Sequence, residues 1–188
     1  MHKPDPATLA AQVQGNTLPP VERWNPALSG DMDMRIARDG TWFHEGSPIE
    51  RIHLARLFST ILRHEDDDCY YLVTPVEKWR IQVDDAPFVA VLLDVTGTGE
   101  TQELKFTTNL GDVVTAGAEH CIKVEYKTPG GEPSPYVHIR ARLRALMARS
   151  VFLELAELGE EREIEGERVY GVWSQGLFFS LGKLDKDQ

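Results

Sequence analysis

The sequence predicts an α+β fold in two small domains, and three observations carry that expectation. Many short β-type runs, punctuated by Gly, Pro and Asp, alternate with only two stretches of helical apolar period, near 48–64 and 140–158. A strand, an amphipathic helix and a hairpin occur over 41–83 and again over 136–181, which suggests two related units sharing a repeated strand-helix-hairpin motif. At 188 residues the chain is long enough to bury a full-sized core without staples. The expected division is an extended proline-rich arm over 1–30, an N-terminal α+β domain over 31–85, and a mostly β domain with one long helix over 86–188.

Taken in order, Pro4, Pro6, Pro19, Pro20 and Pro26 keep the first segment largely extended, with a helix-permissive stretch between Leu9 and Val13. Trp24 is a large aromatic in that arm and is expected to dock on the body of the protein. Asp39-Gly40 reads as the turn of a hairpin between Met34–Ala37 and Thr41–His44. Ser47, Pro48 and Glu50 have the form of a capping box opening a helix over 48–64, whose stripe is Ile49, Ile52, Leu57, Phe58, Ile61 and Leu62. The acidic run Glu65 to Asp68 ends it, because negative charge opposes the carboxyl end of a helix.

Strands follow over 70–73, 79–83, 88–95, 103–107, 113–116, 122–126 and 136–139. A long helix is expected over 140–158, bearing Leu143, Leu146, Met147, Phe152, Leu153 and Leu155, with Gly159 closing it. Glu165-Gly166 and Ser174-Gln175-Gly176 then turn two final hairpins.

Net charge is −10, from 30 acidic against 20 basic side chains, so the average field repels a phosphate backbone and long nucleic acid is not an expected partner. No apolar run reaches the length of a membrane span, and the first residues lack the apolar segment of a secretory signal. The expectation is a soluble cytoplasmic protein without a membrane partner. Cys69 and Cys121 each sit beside apolar residues and read as free thiols.

The candidate binding residues fall in three places. Trp79 and Arg80 with Asp84 and Asp85 combine an indole, a guanidinium and carboxylates, the groups that would stack on a base, fork onto a phosphate and accept from a sugar. On a strand Trp79 and Arg80 point to opposite faces, so a core indole beside a solvated arginine explains the same letters. Thr107, Asn109 and Asp112 end a strand and turn through small polar residues, either as an anion-binding turn or as a plain one. Arg140 leads the basic cluster Arg140, Arg142, Arg144 and Arg149, where a helix start would hold an anion beside its free N–H groups; pairing with the many carboxylates is the alternative.

No metal site or cofactor motif is expected. The acidic run lacks the alternating oxygens of a calcium loop, and the histidines show no close ligand spacing, although His120, Cys121 and His138 would meet if their strands paired. The serines carry no nucleophile elbow.

Asp39-Gly40-Thr41-Trp42 followed by Gly46-Ser47-Pro48-Ile49, then Val83-Asp84-Asp85-Ala86-Pro87-Phe88, then Phe106-Thr107-Thr108-Asn109 with Gly111-Asp112, resembles the bacterial family of domain of unknown function twelve eighty-five. The resemblance covers nearly the whole chain from about residue 20. It implies a duplicated α+β architecture, a C-terminal part with a strongly bent antiparallel sheet or partial barrel superficially like the pleckstrin-homology fold, and a ligand site for a nucleotide-type molecule in signalling at the domain interface. It assigns no catalytic residue. The functional expectation is therefore a non-enzymatic small-ligand-binding protein sensing a nucleotide-type anion at the seam of its two units. The alternative is a protein-interaction or scaffold module, with an enzyme of unfamiliar type behind both; a homodimer is open.

Overall fold

The computed structural model describes residues 18–126, 128 and 131–184; the helix-permissive stretch from Leu9 to Val13 lies outside them. The chain divides into two compact units, one running through Pro87 and taking in Ala141–Leu143, the other holding Phe88–Arg140 and the chain from Arg144 onward. Both are α+β and strand-rich, and one sheet is strongly curled into a half-barrel.

The first unit contains β1 (Leu28–Ile36), β2 (Trp42–His44), β3 (Ser47–Pro48), α1 (Ile52–Thr60), β4 (Leu62–His64), β5 (Tyr70–Val73) and β6 (Lys78–Val83). They form a six-stranded sheet in the order β3-β2-β1-β6-β5-β4, antiparallel except for the central β1–β6 pair. Alternation sets its two faces. Met32, Met34 and Ile36 on β1 and Trp79 and Ile81 on β6 are buried, and Asp31, Asp33, Arg35, Arg80 and Gln82 between them are exposed. Ala55 and Phe58 of α1 are buried too, with the Phe58 ring stacked on Trp42 at 6.2 Å between centroids.

The Asp39-Gly40 hairpin forms as expected: Ile36 pairs with Trp42, Gly40 has φ 84°, and Asp39 Oδ1 accepts from the Thr41 amide at 2.9 Å. The helix over 48–64 is shorter at both ends than expected. Glu45 and Gly46 take φ 48° and 76°, which turns the chain tightly and pairs Ser47 with His44. Ser47 and Pro48 are thus an edge strand and not a helix cap; α1 starts at Ile52, behind Arg51, without any side-chain cap. At its other end Leu62–His64 pairs with β5, so Leu62 is buried from a strand.

The arm from Leu18 to Ala27 makes one 3-10 turn, Val21–Arg23. Val21 is buried in a small cluster with Tyr71 and Val73, and Trp24 packs against it, the docking its size predicts. Arg63 ties the turn down by donating from Nη1 to the carbonyls of Val21 at 3.1 Å and Trp24 at 2.7 Å.

The second unit contains β7 (Phe88–Thr96), β8 (Glu103–Thr108), β9 (Val113–Thr115), β10 (Ile122–Tyr126), β11 (Pro133–Arg140), β12 (Leu143–Met147), α2 (Arg149–Glu157), β13 (Glu160–Ile164), β14 (Glu167–Ser174) and β15 (Leu177–Lys183). Its six-stranded sheet has the order β10-β11-β12-β7-β8-β9, and β13-β14-β15 form a second, three-stranded sheet. Here too the central pair, β12 and β7, is parallel. Counted along its own segment, each six-stranded sheet runs third, second, first, sixth, fifth, fourth. The feature that recurs is this strand order, over 28–83 and 88–147, and the expected strand-helix-hairpin copies at 41–83 and 136–181 do not coincide with it. The two helices fall at different places: α1 between the third and fourth strands, α2 after the sixth.

The long helix expected over 140–158 is two elements. Ala141, at φ 47°, turns the chain out of β11, and Leu143, Ala145, Leu146 and Met147 are buried in a strand whose Arg144 lies half exposed. A window of leucines and arginines satisfies both periods over so short a run, and pairing with β7 decides for the strand. Only Arg149–Glu157 is helical, with Val151 and Leu155 buried.

Buried polar groups join the sheets of the second unit. Ser174 Oγ accepts from the Leu104 amide at 3.0 Å and donates to the Ala116 carbonyl at 2.7 Å, while Gln102 Nε2 donates to the Trp173 carbonyl at 2.8 Å. No helix among the described residues is long and apolar enough to cross a membrane.

Candidate functional site

Trp79 and Arg80 sit on opposite faces of β6, as alternation requires. The indole is buried in the first unit's core and lies against Gly30, where an added Cβ would meet it at 3.3 Å. The structure therefore does not bring the indole and the guanidinium of this pair together. Arg80 instead forks onto Asp31, its register partner on β1, with Nε to Oδ1 at 2.6 Å and Nη2 to Oδ2 at 3.0 Å. That hydrogen bond holds the Asp31 carboxyl below the usual carboxylate range and raises Arg80 above its ordinary value.

Asp84 and Asp85 follow β6 and face different arginines. Asp84 accepts from Arg35 Nε at 2.9 and 3.0 Å, from Arg35 Nη2, and from Gln82 Nε2 at 3.2 Å; the Arg35 bonds hold its carboxyl low. The side chain of Asp85 is almost fully buried and lies 3.3 Å from Arg38 Nε. Arg35 and Arg80 on the exposed face of this sheet are thus each committed to a carboxylate, in pairs worth little in stability but fixed in geometry.

In the second unit the sequence candidates do converge. Asn109 accepts from the Val89 amide through Oδ1 at 3.0 Å, and its own amide donates to the Val89 carbonyl at 2.8 Å, so it closes the start of β7 against the end of β8. The loop after β8 is held by buried Thr108, whose Oγ1 accepts from the Asp112 amide at 3.0 Å and donates to Asp112 Oδ2 at 3.2 Å. Gly111 takes φ 91°, which gives the loop its tight return. Arg140, at the end of β11, donates from Nη1 to Asp112 Oδ1 at 2.5 Å and lies 5.0 Å above the centre of the buried Phe88 ring. Its side chain is 21% exposed and that of Asp112 23%. Thr107 is apart from this group, on the outer face of β8 between Leu92 and Val113.

The expectation that Arg140 stands at a helix N-terminus is corrected, because it ends a strand and no helical N–H groups flank it. The other arginines of that cluster are distributed: Arg142 pairs with Asp66, Arg144 with Glu125 while stacking 3.7 Å over Tyr136, and Arg149 opens α2. Phe88 beneath Arg140 and Thr108 behind Asp112 were not singled out in the sequence. Thr108 had a signal of a kind, a hydroxyl four residues before a carboxylate across a glycine turn.

The β10–β11 pairing does bring His120, Cys121 and His138 close, with the His138 amide donating to the Cys121 carbonyl at 3.0 Å. The two imidazoles stack at 5.8 Å and place Nδ1 within 3.0 and 2.7 Å of backbone carbonyls, so they do not converge on a point. Among the described residues no group of three His, Cys, Asp or Glu side chains is arranged to hold a metal ion. Cys69 and Cys121 are free thiols. Ser174 is buried, and its hydroxyl is committed to two backbone groups.

The comparisons with known proteins agree with one another. Residues 19–86 match the model of the N-terminal domain of unknown function DUF1285, and residues 87–181 match the C-terminal domain of the same family. A crystal structure of a DUF1285 family protein from Silicibacter pomeroyi DSS-3 is similar at a TM-score of 0.88 with 49% identity, covering 96% of each chain. One from Shewanella baltica OS155 is similar at a TM-score of 0.52 with 25% identity, over 67% of this chain and 91% of that one. No curated protein matches the chain. With both domain models matched in order and a relative of known structure aligned over nearly its full length, the chain belongs to the DUF1285 family.

Proposed function

We propose that this protein is a non-enzymatic binding protein that takes a small anion of the nucleotide type at Arg140 in the second unit, and that it serves in sensing. The observation that supports this reading is the Arg140 side chain, about four-fifths buried, with its guanidinium held over the Phe88 ring and paired with the singly charged Asp112. A phosphate carries more charge and more acceptor oxygens than a carboxylate, and bidentate recognition by guanidinium favours it. An incoming phosphoryl group would take over the donor now given to Asp112. The backbone bonds of Asp112 to Thr108 would keep the loop in place while the Asp112 carboxylate turned away and gave up its bond from the Thr108 hydroxyl. Phe88 is itself buried and offers no face for a base, so the phosphate is the part of the ligand this site reads.

Binding to the native state raises the melting midpoint in proportion to the logarithm of ligand concentration once the site is saturated. The test is a thermal-shift and calorimetric titration with nucleoside mono-, di- and triphosphates, cyclic nucleotides and inorganic phosphate. A saturable shift from one phosphate class, lost in Arg140→Ala, is expected. No shift from any of them at millimolar concentration would overturn the reading.

A second reading, a protein-interaction module, draws on a different observation: Leu92 and Val113 are large apolar side chains on one face of the second unit's sheet, exposed by 59% and 57%.

A further inference from the structure

The outer face of β7, β8 and β9 is unusual in what it leaves exposed. Leu92 on β7, Thr107 on β8 and Val113 on β9 are register partners, so their side chains stand in one row across the three strands. The opposite face of the same strands carries Leu104, Phe106 and Val114, all buried. The core of the second unit is therefore on that side, and burial within the chain does not explain Leu92 and Val113. The next row along the strands is Asp94, Lys105 and Thr115. Asp94 and Lys105 face each other across the ladder, yet neither side chain makes an ion pair or hydrogen bond among the described residues. Most of the protein's arginines, by contrast, have taken a carboxylate partner.

We infer that this face is the interface of a homodimer, with a second copy of the chain as its occupant. The argument is charge self-complementarity. A two-fold axis running along the strands between β7 and β8 carries Asp94 of one copy to a position facing the partner's Lys105, and Lys105 to the partner's Asp94, closing two ion pairs from one unpaired set. The same operation lays Leu92 over the partner's Thr107, where the two apolar rows exclude water from each other. A partner that was uniformly acidic or basic would satisfy only one of the two charges. At a net charge of −10, copies of this chain repel on average, so contact between them requires a patch that is locally balanced, and the Asp94–Lys105 row is balanced. The inference does not depend on anion binding at Arg140.

Sedimentation velocity across a concentration series up to about 0.5 mM tests it on the full chain, a range that reaches interfaces at or below the ~1,200 Å² lower end of stable association. The wild type is expected to show reversible dimerisation, and Leu92→Asp to weaken it by at least about tenfold, as loss of a central apolar contact does. Asp94→Lys and Lys105→Asp should each weaken the dimer, and the double variant Asp94→Lys with Lys105→Asp should restore it. All four positions are on the surface, and circular dichroism establishes that each variant is folded; Val113→Ser replaces Leu92→Asp should the latter not be. A wild type that stays monomeric throughout would overturn the inference. So would a dimer indifferent to Leu92→Asp, or a double variant no better than the singles.

Discussion

Arg63 Nη1 donates to the Trp24 carbonyl at 2.7 Å across 39 residues of sequence, and to the Val21 carbonyl at 3.1 Å. One guanidinium therefore holds both ends of the 3-10 turn while its Nε and Nη2 are taken by Glu65. Replacing it by Met keeps the apolar stem but takes the donor from the Trp24 carbonyl, while the Val21 carbonyl keeps the Trp24 amide and Glu65 keeps Lys78 Nζ. The expected loss is about 1–3 kcal/mol of unfolding free energy, read by urea denaturation. Preferential cleavage by a protease near Val21–Trp24 should accompany it. A loss within the scatter of surface substitutions would mean that the turn is not anchored there.

Acid should destabilise the protein through the same network. Burial pushes the Glu65 carboxyl up, but hydrogen bonds from Arg63 and Lys78 outweigh that and leave it below its ordinary value. Asp31, Asp39, Asp67 and Asp84 are also held low, chiefly by bonds from Arg80, the Thr41 amide, Tyr71 and Arg35. A carboxyl whose folded-state value is depressed binds fewer protons folded than unfolded. Its contribution is full above the unfolded value, about 3.9 for Asp and 4.3 for Glu, and is lost as pH falls through the folded one. Melting midpoints should thus be flat from neutrality to about pH 5 and fall below it. Glu65→Gln should lower the plateau and make the acid limb shallower.

The Arg140–Asp112 pair should couple measurably, since both side chains are mostly buried and Thr108 fixes the carboxylate from behind. A double-mutant cycle with Arg140→Gln and Asp112→Asn is expected to give a coupling of about 0.5–1.5 kcal/mol. The same cycle for Arg80 and Asp31, which are exposed, should give less. Equal couplings would remove the reason for singling out Arg140.

The places where the sequence was legible are those where one period left no rival. Met32, Met34 and Ile36 alternate with charged residues, and Trp79 and Ile81 with Arg80 and Gln82, so faces and strands could be assigned before any pairing was known. Asp39-Gly40 forms the turn its residues prefer. Ser47-Pro48 misled because a capping box and an edge strand after a Glu45-Gly46 turn use the same letters, and the turn is closer. The site was legible in residue type but not in assembly: Asp112 and Asn109 are local to one loop, whereas Arg140 and Phe88 reach it only through the sheet order. Asp31, the partner that neutralises Arg80, is visible only in the parallel β1–β6 register.

Ala141 offers a test that separates the two readings of 140–147 by sign. In the structure it has φ 47°, a left-handed conformation that costs an alanine about 1–2 kcal/mol and a glycine almost nothing. Ala141→Gly should stabilise the protein by about 0.5–1 kcal/mol, net of the greater freedom glycine gives the unfolded chain. Were 140–147 the first half of a long helix, the same substitution would remove the best helix former and cost about 1 kcal/mol. Chemical denaturation of the single variant reads the difference directly. A gain places Arg140 at the end of a strand, where its guanidinium meets Asp112 and Phe88. A loss would return it to a helix and dissolve the site built around it.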